Sequence, residues 1–287
     1  MNDILMQIRS DLPSFSKGQK RIANYILESY DKAAFMTASR LGKMVEVSES
    51  TVVRFAVELG FDGYPSMQRS LQKMIRNRLT SVQRIEVAND RMGDQDVLDM
   101  VLQSDIDKIR LTLEEIDRES FDKAADAIVA ARRIYIVGLR SSASIATFLG
   151  FYFNLIFDNV VMISANTVSE VLESLLRVGE GDVVIGISFP RYSKDTINAA
   201  RFARSRGAEI IAITDQKQSP VAQLSSAALL APSEMLSFID SMTAPMSLIN
   251  ALLVGIATKM GTDVTKTFTT LERLWDQYDV FGGADDE

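Results

Sequence analysis

The stretch from Thr37 to Phe61, TASRLGKMVEVSESTVVRFAVELGF, predicts two short helices joined by a tight turn. Ser48 is placed to cap the second helix, with Val47 and Val52 as a hydrophobic staple around its start. Gly60 fits the left-handed position that closes a helix. This pattern is the outline of a helix-turn-helix, and an ordinary helical hairpin inside a larger core is the alternative.

Helical periodicity separates a buried face from an outward face in this segment. The predicted buried residues are Ala38, Leu41 and Met44 in the first helix, and Val52, Val53, Phe55, Ala56 and Leu59 in the second. We predict that Arg54 contacts a guanine edge, and that Ser48 or Ser50 contacts phosphate or base. Glu49 either accepts from cytosine or complements the helix N-terminus. The full set of predicted DNA contacts is Lys43, Ser48, Glu49, Ser50, Thr51 and Arg54.

Charge divides the chain into two regions of opposite sign. Residues 1–80 hold 12 Lys and Arg against 8 Asp and Glu, a net charge of +4, whereas the remainder holds 19 against 30, a net charge of −11. Phosphate binding responds to the local field of the docking face rather than to the total charge of −7. The basic N-terminal region therefore favours DNA binding over a plain helical hairpin.

Length and composition indicate a soluble chain of two domains. The 287 residues are 47% hydrophobic, which suffices for two cores. The sequence shows neither an apolar run long enough to span a membrane nor a signal peptide, so we expect a cytoplasmic protein with no membrane partner. Cysteine and histidine are both absent, which removes thiolate catalysis and the commonest metal ligands. We expect no metal site and no cofactor.

Further helices are expected on both sides of the helix-turn-helix. Ser16 and Gln19 have the spacing of a capping box at the start of a helix that runs to about Tyr30. Another helix is predicted from about Pro65 to Arg84, and the polar stretch from Val87 to Gln95 marks a domain boundary. The predicted divisions are a DNA-binding domain (1–80), a linker with a docking helix (81–120), a second domain (121–265) and a C-terminal helix with a tail (266–287).

A seam of apolar residues follows this boundary, with spacings that alternate between four and three. It consists of Leu102, Ile106, Ile109, Leu113 and Ile116. Such a seam is typical of a coiled coil or of a helix laid against a packed domain. The short repeat favours the docked helix, and a role in dimer contacts stays open.

Five short apolar runs alternate with helical stretches after residue 133. They are Ile134–Val137, Val160–Ser164, Val183–Ser188, Glu209–Thr214 and Ala227–Ala231. Continuous hydrophobicity indicates strands that are covered on both faces. The sequence therefore predicts an α/β fold: an all-α N-terminal domain followed by a doubly wound, five-stranded parallel sheet.

Hydroxyl groups cluster after the first and third of these strands, where such sheets bind ligands. Hydroxyl donors near helix N-termini, reinforced by a guanidinium, suit a phosphate monoester. For any serine taken alone a helix cap is the better explanation, but two clusters at equivalent strand ends favour the phosphate site. The predicted effector-binding residues are Ser141, Ser142, Ser144, Ser188, Arg191, Ser193 and Thr196.

The sequence resembles the RpiR/MurR-type transcriptional regulators, which join an N-terminal helix-turn-helix to a sugar isomerase (SIS) domain. The most specific match runs from Val47 to Leu71 and includes a Gly-Phe-x-Gly-Tyr junction at Gly60 to Tyr64. The SIS pattern Gly-x-Gly-x-Ser is similar to Gly138–Ser142, with Arg140 in place of the middle glycine. A second SIS pattern, Ser-x-Ser-Gly-x-Thr-x-x-Thr, is similar to Ser188–Thr196 but carries Pro190 and Arg191 in place of Ser and Gly.

This resemblance implies a regulator of a carbohydrate-catabolic operon, with repression as the usual family role. The implied partners are double-stranded operator DNA, a phosphorylated sugar effector and further copies of the chain in a homodimer or homotetramer. No enzymatic activity is expected. The alternatives are a sugar-phosphate isomerase, with Glu170, Glu173 and Glu234 as candidate acid/base groups, and a phosphosugar-binding scaffold without DNA contact.

Overall fold

The computed structural model describes residues 4–75, 80–92, 96–164, 167–233 and 237–281. The chain forms two compact units. Unit 1 comprises Met1–Met100 together with Met235–Asp240, and unit 2 comprises Val101–Glu234 together with Ser241–Glu287.

Unit 1 is built from helices around a single apolar core. Phe55 and Phe15 meet edge to face in this core, with ring centroids 5.1 Å apart. Ile22, Leu41 and Val52 are fully buried around them. The helices are α1 (Ile4–Asp11), α2 (Lys17–Glu28), α3 (Tyr30–Ala33), α4 (Ala38–Met44), α5 (Glu49–Glu58), α6 (Tyr64–Ile75) and α7 (Ser81–Met92); α8 (Val97–Glu115) begins in unit 1 and continues in unit 2.

The single helix predicted from Pro65 to Arg84 is wrong, because α6 and α7 are separate. Thr80 is not helical and caps α7: its Oγ1 accepts from the backbone N–H of Gln83 at 3.3 Å. The side-chain oxygen of Gln83 accepts from the Thr80 N–H at 2.9 Å in return. This is a capping box, and the Thr-x-x-Gln spacing was readable in the sequence.

Unit 2 contains a five-stranded parallel sheet in the order β2-β1-β3-β4-β5. The sheet confirms the predicted doubly wound α/β fold. Its strands are β1 (Arg133–Gly138), β2 (Val160–Ile163), β3 (Asp182–Ile187), β4 (Glu209–Thr214) and β5 (Ala227–Leu230). The helices are α9 (Arg118–Ala130), α10 (Ala143–Ile156), α11 (Val168–Ser174), α12 (Lys194–Ser205), α13 (Thr243–Met260) and α14 (Thr262–Gln277).

Helices cover both faces of the sheet, which explains why the strands are continuously apolar. Residues of α9, α10 and α13 share one core cluster with inward side chains such as Ile134 and Ile185. Residues of α11 and α12 share a second cluster with Tyr135 and Val184 on the opposite face. Alternate residues of each strand therefore enter different cores.

The helix α13 meets the length and composition expected of a membrane span, yet it is part of this fold. Leu248, Ile249, Leu252 and Ile256 lie in the core cluster that includes β1 and β3. Such a helix is typical of the interior of an α/β domain.

Ile116, the last residue of the apolar seam, packs against the core of unit 2, but the seam residues within α8 do not pack as the docked-helix interpretation predicted. Leu102, Ile106 and Leu113 are at least half exposed. The buried residue of α8 is instead Lys108, with 5% exposure. The docked-helix interpretation is therefore wrong about which side of α8 faces the domain. Polar contacts, rather than the apolar seam, attach the helix to unit 2.

Candidate DNA-binding helix and effector site

The start of α5 has the capped geometry that its sequence predicts. Ser48 Oγ accepts from the backbone N–H of Thr51 at 3.2 Å, which satisfies one of the free donors of the first turn. The hydroxyls of Ser50 and Thr51 each lie 2.8 Å from Ser48 Oγ. Val52 is buried and Val47 packs against the same core, as a staple requires. Three hydroxyls are thus gathered at a helix N-terminus.

A close crossing brings α4 and α5 together, and it depends on Gly42. A Cβ at this glycine would lie 2.8 Å from the carbonyl oxygen of Val47, closer than real Cβ contacts allow. The backbone N–H of Val47 donates to the Gly42 carbonyl at 2.8 Å, and Glu46 in the turn has φ of 53°. Gly42 was not predicted from the sequence, although its place before the turn was the available signal.

The predicted DNA-contact residues are accessible on the surface of unit 1. Thr51 is half-buried, whereas Lys43, Ser48, Glu49, Ser50 and Arg54 are exposed. Arg54 lies one turn after Ser50, and its Nε donates to the Ser50 carbonyl at 3.4 Å.

Two apolar residues in this region are not buried as predicted. Val53 is 37% exposed and Met44 is 52% exposed. Val57, one turn after Val53, is 55% exposed. Val53 and Val57 therefore share the outward face with Ser50 and Arg54, because the core takes up the opposite stripe, which consists of Val52, Phe55, Ala56 and Leu59.

In unit 2, the predicted effector residues follow two neighbouring strands. β1 and β3 pair in register, with Gly138 opposite Ile187, so both strands end at the same edge of the sheet. β2 and β3 flank β1 on its two sides, which makes this edge the topological switch point. Ligands of doubly wound sheets bind at this position.

The loop after β1 is tightly folded onto the first turn of α10. A Cβ at Gly138 would lie 2.9 Å from both the Ala146 Cβ and the Ser142 carbonyl oxygen, so a side chain does not fit there. Ser144 Oγ donates to the Ser141 carbonyl at 3.0 Å. Ser142 is 4% exposed, whereas Ser141 and Ser144 lie at the surface.

The loop after β3 leads directly into α12 and carries the second group of hydroxyls. The backbone N–H of Ser193 donates to Ser188 Oγ at 3.3 Å, and Ser193 Oγ accepts from the Thr196 N–H at 3.4 Å. Ser193 therefore caps α12, which agrees with the alternative explanation that a single serine in such a loop is a helix cap. Thr196 is fully buried, and its Oγ1 has no hydrogen-bond partner among the described residues.

Two arginines near this edge hold the left-handed backbone conformation that favours glycine. Arg140 has φ of 59° and Arg191 has φ of 64°. These are the positions where the SIS patterns have glycine. The loop conformation is thus kept although the residue has changed, and each arginine adds a cation near the strand ends.

A polar network at the end of β4 was not predicted from the sequence. Tyr192 Oη donates to Asp215 Oδ1 at 2.8 Å, and Gln216 Nε2 donates to Tyr192 Oη at 3.0 Å. Ser233, which follows β5, is fully buried, and its Oγ has no partner among the described residues. The signal available in the sequence was polar residues directly after two apolar strands.

Two of the three candidate acid/base groups of an isomerase lie at the protein surface. Glu170 and Glu173 are exposed, and Glu173 accepts from Ser169 Oγ at 2.7 Å. The third candidate, Glu234, lies outside the described residues.

Comparisons with known proteins match both units. Residues 2–78 match the model of the helix-turn-helix domain of the rpiR family, and residues 127–255 match that of the SIS domain. The chain belongs to the rpiR family of DNA-binding transcriptional regulators. The family assignment agrees with the helix-turn-helix, the parallel sheet and the SIS-like loops described above.

Two curated relatives, both HTH-type transcriptional regulators, align with most of this chain. The chain is 25% identical over 268 residues to the HTH-type transcriptional regulator HexR of Pseudomonas aeruginosa, with 92% of each chain covered. It is 26% identical over 217 residues to HexR of Escherichia coli, covering 74% of this chain and 72% of that protein.

Solved structures share the fold. NanR of Vibrio vulnificus, complexed with ManNAc-6P, matches with a TM-score of 0.60 and 22% identity, over 98% of this chain and all of NanR. The sugar isomerase domain of an RpiR transcription factor from Sphaerobacter thermophilus matches with a TM-score of 0.58 and 28% identity, over 61% of this chain and 97% of that one.

Proposed function

We propose that this rpiR-family regulator is a cytoplasmic repressor of a carbohydrate-catabolic operon. A phosphorylated sugar, bound where β1 and β3 end, controls its affinity for the operator. The protein acts as a homodimer or homotetramer, so that two recognition helices read two half-sites. The domain limits predicted above, with DNA binding in 1–80 and effector binding in 121–265, belong to this proposal.

The outward face of α5 supports sequence-specific binding in the major groove. Arg54 has the donors for a bidentate contact with a guanine edge, and exposed Val53 beside it suits the methyl group of thymine. Ser48 and Ser50 lie at the helix N-terminus, where hydroxyls and the helix dipole favour a phosphate. The face therefore offers groups for both base reading and backbone positioning.

The observation that carries the effector assignment is the buried hydroxyl of Thr196. A buried hydroxyl without a partner costs free energy, and functional sites are where such costs are retained. Thr196 lies in the first turn of α12, beside the Ser193 cap. A phosphate at this helix N-terminus would accept from Thr196 Oγ1 and from the free backbone donors of the first turn.

The cations near the same edge agree with an anionic ligand. Arg140 and Arg191 add guanidinium groups to a surface that already offers hydroxyl donors. Phosphate oxygens accept several hydrogen bonds at once, and guanidinium groups donate two in parallel. A phosphorylated sugar fits this set of donors better than a neutral sugar, because the charge repays the desolvation of the arginines.

Effector control requires that the sugar phosphate binds two arrangements of the protein with different affinity. A ligand that favours one spacing of the paired recognition helices shifts the population that fits the operator. A ligand with equal affinity for both arrangements would bind without changing the affinity for DNA.

The test is operator binding by the purified protein at fixed salt concentration, because phosphate contacts make DNA affinity salt-dependent. Fluorescently labelled DNA that flanks the protein's own gene is titrated with and without a panel of phosphorylated sugars, and a scrambled fragment is the control. Specific binding that one sugar phosphate shifts, while its unphosphorylated form does not, supports the proposal. Absence of specific binding contradicts it.

The isomerase remains the alternative function of an SIS domain. Incubation with aldose and ketose phosphates, followed by product analysis, separates the two. Turnover above background that is lost in the Glu170→Gln or Glu173→Gln variant would show that the protein is an isomerase and would contradict the proposed regulator.

A further inference from the structure

A stripe of four large apolar side chains runs along α8 at the surface of the chain. Leu102, Ile106, Ile109 and Leu113 have exposed fractions of 53%, 50%, 37% and 66%. Their spacings of four, three and four residues place them on one side of the helix. We call these four residues the α8 stripe.

A different side of α8 fixes the helix to unit 2, and it does so through polar groups. Lys108 Nζ donates to Ser104 Oγ at 2.7 Å and to Asp105 Oδ1 at 3.4 Å. Asp105 also accepts from Ser241 Oγ at 2.5 Å and from Thr243 Oγ1 at 2.8 Å. Burial alone would raise the pKa of Asp105, but these hydrogen bonds and the Lys108 charge lower it below its usual value.

This arrangement is the reverse of an ordinary surface helix. A helix on a monomer turns its apolar stripe toward the core and leaves its charged groups in water. In α8, Lys108 is buried while the stripe is exposed. Contiguous exposed apolar side chains of this kind mark a surface that contacts another molecule.

The α8 stripe also lies outside both matched domains. The helix-turn-helix model ends at residue 78 and the SIS model begins at residue 127. The stripe, between residues 102 and 113, is therefore used neither by the recognition helix nor by the proposed effector site.

We propose that the α8 stripe is a contact between two copies of this chain. Its four residues read Leu-Ile-Ile-Leu with spacings of four, three and four, so their order is the same in both directions, and Leu98, 65% exposed, continues the stripe one turn toward the N-terminus. A second copy therefore meets it with leucine against leucine and isoleucine against isoleucine, whether the two helices run parallel or antiparallel. Such self-complementarity is the property that a two-fold symmetric interface requires.

The residues beside the stripe agree with this occupant. Asp107 and Arg110 form an exposed row with Gln103, in which Asp107 Oδ1 accepts from both neighbours at 3.1 and 3.3 Å. This polar border presents both charge signs, as the rim of a protein interface does. A nucleic acid or an anionic membrane would instead meet the exposed carboxylates Asp99, Glu114 and Glu115 of the same helix.

The inference rests on the proposed homo-oligomer and states where that oligomer is held together. Its test needs neither DNA nor effector, so it fails independently of the regulatory function. The variant is the double substitution Leu102→Glu/Leu113→Glu in the full chain. Both side chains are exposed within one copy, so the fold is retained, which far-UV circular dichroism checks.

Sedimentation velocity then compares this variant with the wild type and with Leu176→Glu. Leu176 is 71% exposed and lies outside α8, which makes it a matched control. We expect the wild type and the control to sediment as the same assembly, and the double variant as a particle of half that mass. A monomeric wild type, an unchanged mass of the double variant, or an equal loss in the control would overturn the proposal.

Cross-linking gives a second measurement, because the chain contains no cysteine. In the double variant Ile106→Cys/Ile109→Cys, parallel pairing joins equivalent positions and antiparallel pairing joins position 106 to position 109 of the second copy. Mild oxidation should give a covalent dimer on a non-reducing gel, while Leu176→Cys stays monomeric. A monomer from the double variant would contradict the contact.

Discussion

The hydroxyl of Tyr64 donates a hydrogen bond of 2.7 Å to the backbone carbonyl of Met36. Tyr64 opens α6 and closes the Gly-Phe-x-Gly-Tyr junction that follows the recognition helix, while Met36 lies before α4. The tyrosine is 3% exposed and belongs to the core of unit 1. This contact ties the segment after the helix-turn-helix to the segment before it, which gives the junction a structural role.

Tyr64→Phe should destabilise unit 1 by about 1 kcal/mol, the typical contribution of one hydrogen bond. The cost stays small because Gln68 Nε2 also donates to the Met36 carbonyl, at 2.8 Å, so the acceptor keeps a partner. Urea unfolding at neutral pH measures the difference. Tyr278→Phe is the control, since Tyr278 is 71% exposed and should have no effect.

Burial raises the pKa of Tyr64 to about 12 from its ordinary value of 10.0. A phenol whose folded pKa is raised keeps its full contribution to stability below pH 10, and this contribution is lost as the pH rises from about 10 to about 12. Wild-type stability should therefore fall between pH 9 and 11.5 by more than that of Tyr64→Phe. Equal losses in both proteins would show that another group causes the alkaline dependence.

Arg54→Ala should weaken operator binding by about 1–3 kcal/mol if its guanidinium holds a bidentate base contact. Binding to a scrambled fragment should change much less, because a base contact supplies specificity rather than general affinity. Fluorescence anisotropy at one salt concentration measures both values. Arg177→Ala, an exposed arginine of unit 2, is the matched control, and an operator affinity equal to that of the control would exclude Arg54 from base reading.

Thr196→Val should have opposite effects on stability and on effector binding. Valine has nearly the same shape, so removal of an unpartnered buried hydroxyl should raise stability by up to about 1 kcal/mol. Loss of the donor should weaken binding of the active sugar phosphate by about 1–3 kcal/mol.

Thermal unfolding and isothermal titration calorimetry measure these two effects of Thr196→Val. Thr269→Val is the control, because Thr269 is exposed and donates to the Thr265 carbonyl at 2.8 Å. Unchanged effector affinity in Thr196→Val would place the phosphate elsewhere.

Arg140→Gly should be tolerated or slightly stabilising, by up to about 1 kcal/mol, because glycine adopts φ of 59° without strain. Arg140→Ala removes the same charge and keeps the strained backbone, so it should be less stable than Arg140→Gly. If the Arg140 guanidinium contacts the effector, both variants should bind the sugar phosphate more weakly than the wild type. Differential scanning fluorimetry with and without the ligand compares all three proteins.

Local sequence signals predicted much of this structure because their causes lie within a few residues. The Ser48 cap and the Ser16–Gln19 capping box both appear as expected. The Thr80–Gln83 box was equally local and was missed, which turned two helices into one. Val53 was assigned to the core because it is apolar at helical spacing, but it is 37% exposed, on a side of α5 that faces away from the core of unit 1.

The candidate effector site also combines features that the sequence predicted with features that it could not predict. The serines after β1 and β3 were found from strand ends, and the parallel register of Gly138 with Ile187 brings those ends together. Which hydroxyl lacks a partner depends on every atom packed around it. Thr196 and Ser193 look equivalent in the sequence. In the described part of the chain, however, the buried Thr196 hydroxyl has no partner, whereas Ser193 caps α12.

The sequence by itself determined the helix-turn-helix, the five apolar strands and the opposite charge of the two regions. These features follow from capping chemistry, hydrophobic period and composition, each of which acts over a short span of chain. The tertiary structure alone decided that Lys108 is buried while Leu102 and Leu113 face outward on the same helix. The burial of a residue depends on the surface that packs against it. Here the hydrogen bond between Asp105 and Ser241, which are distant in sequence, fixes which side of α8 faces inward.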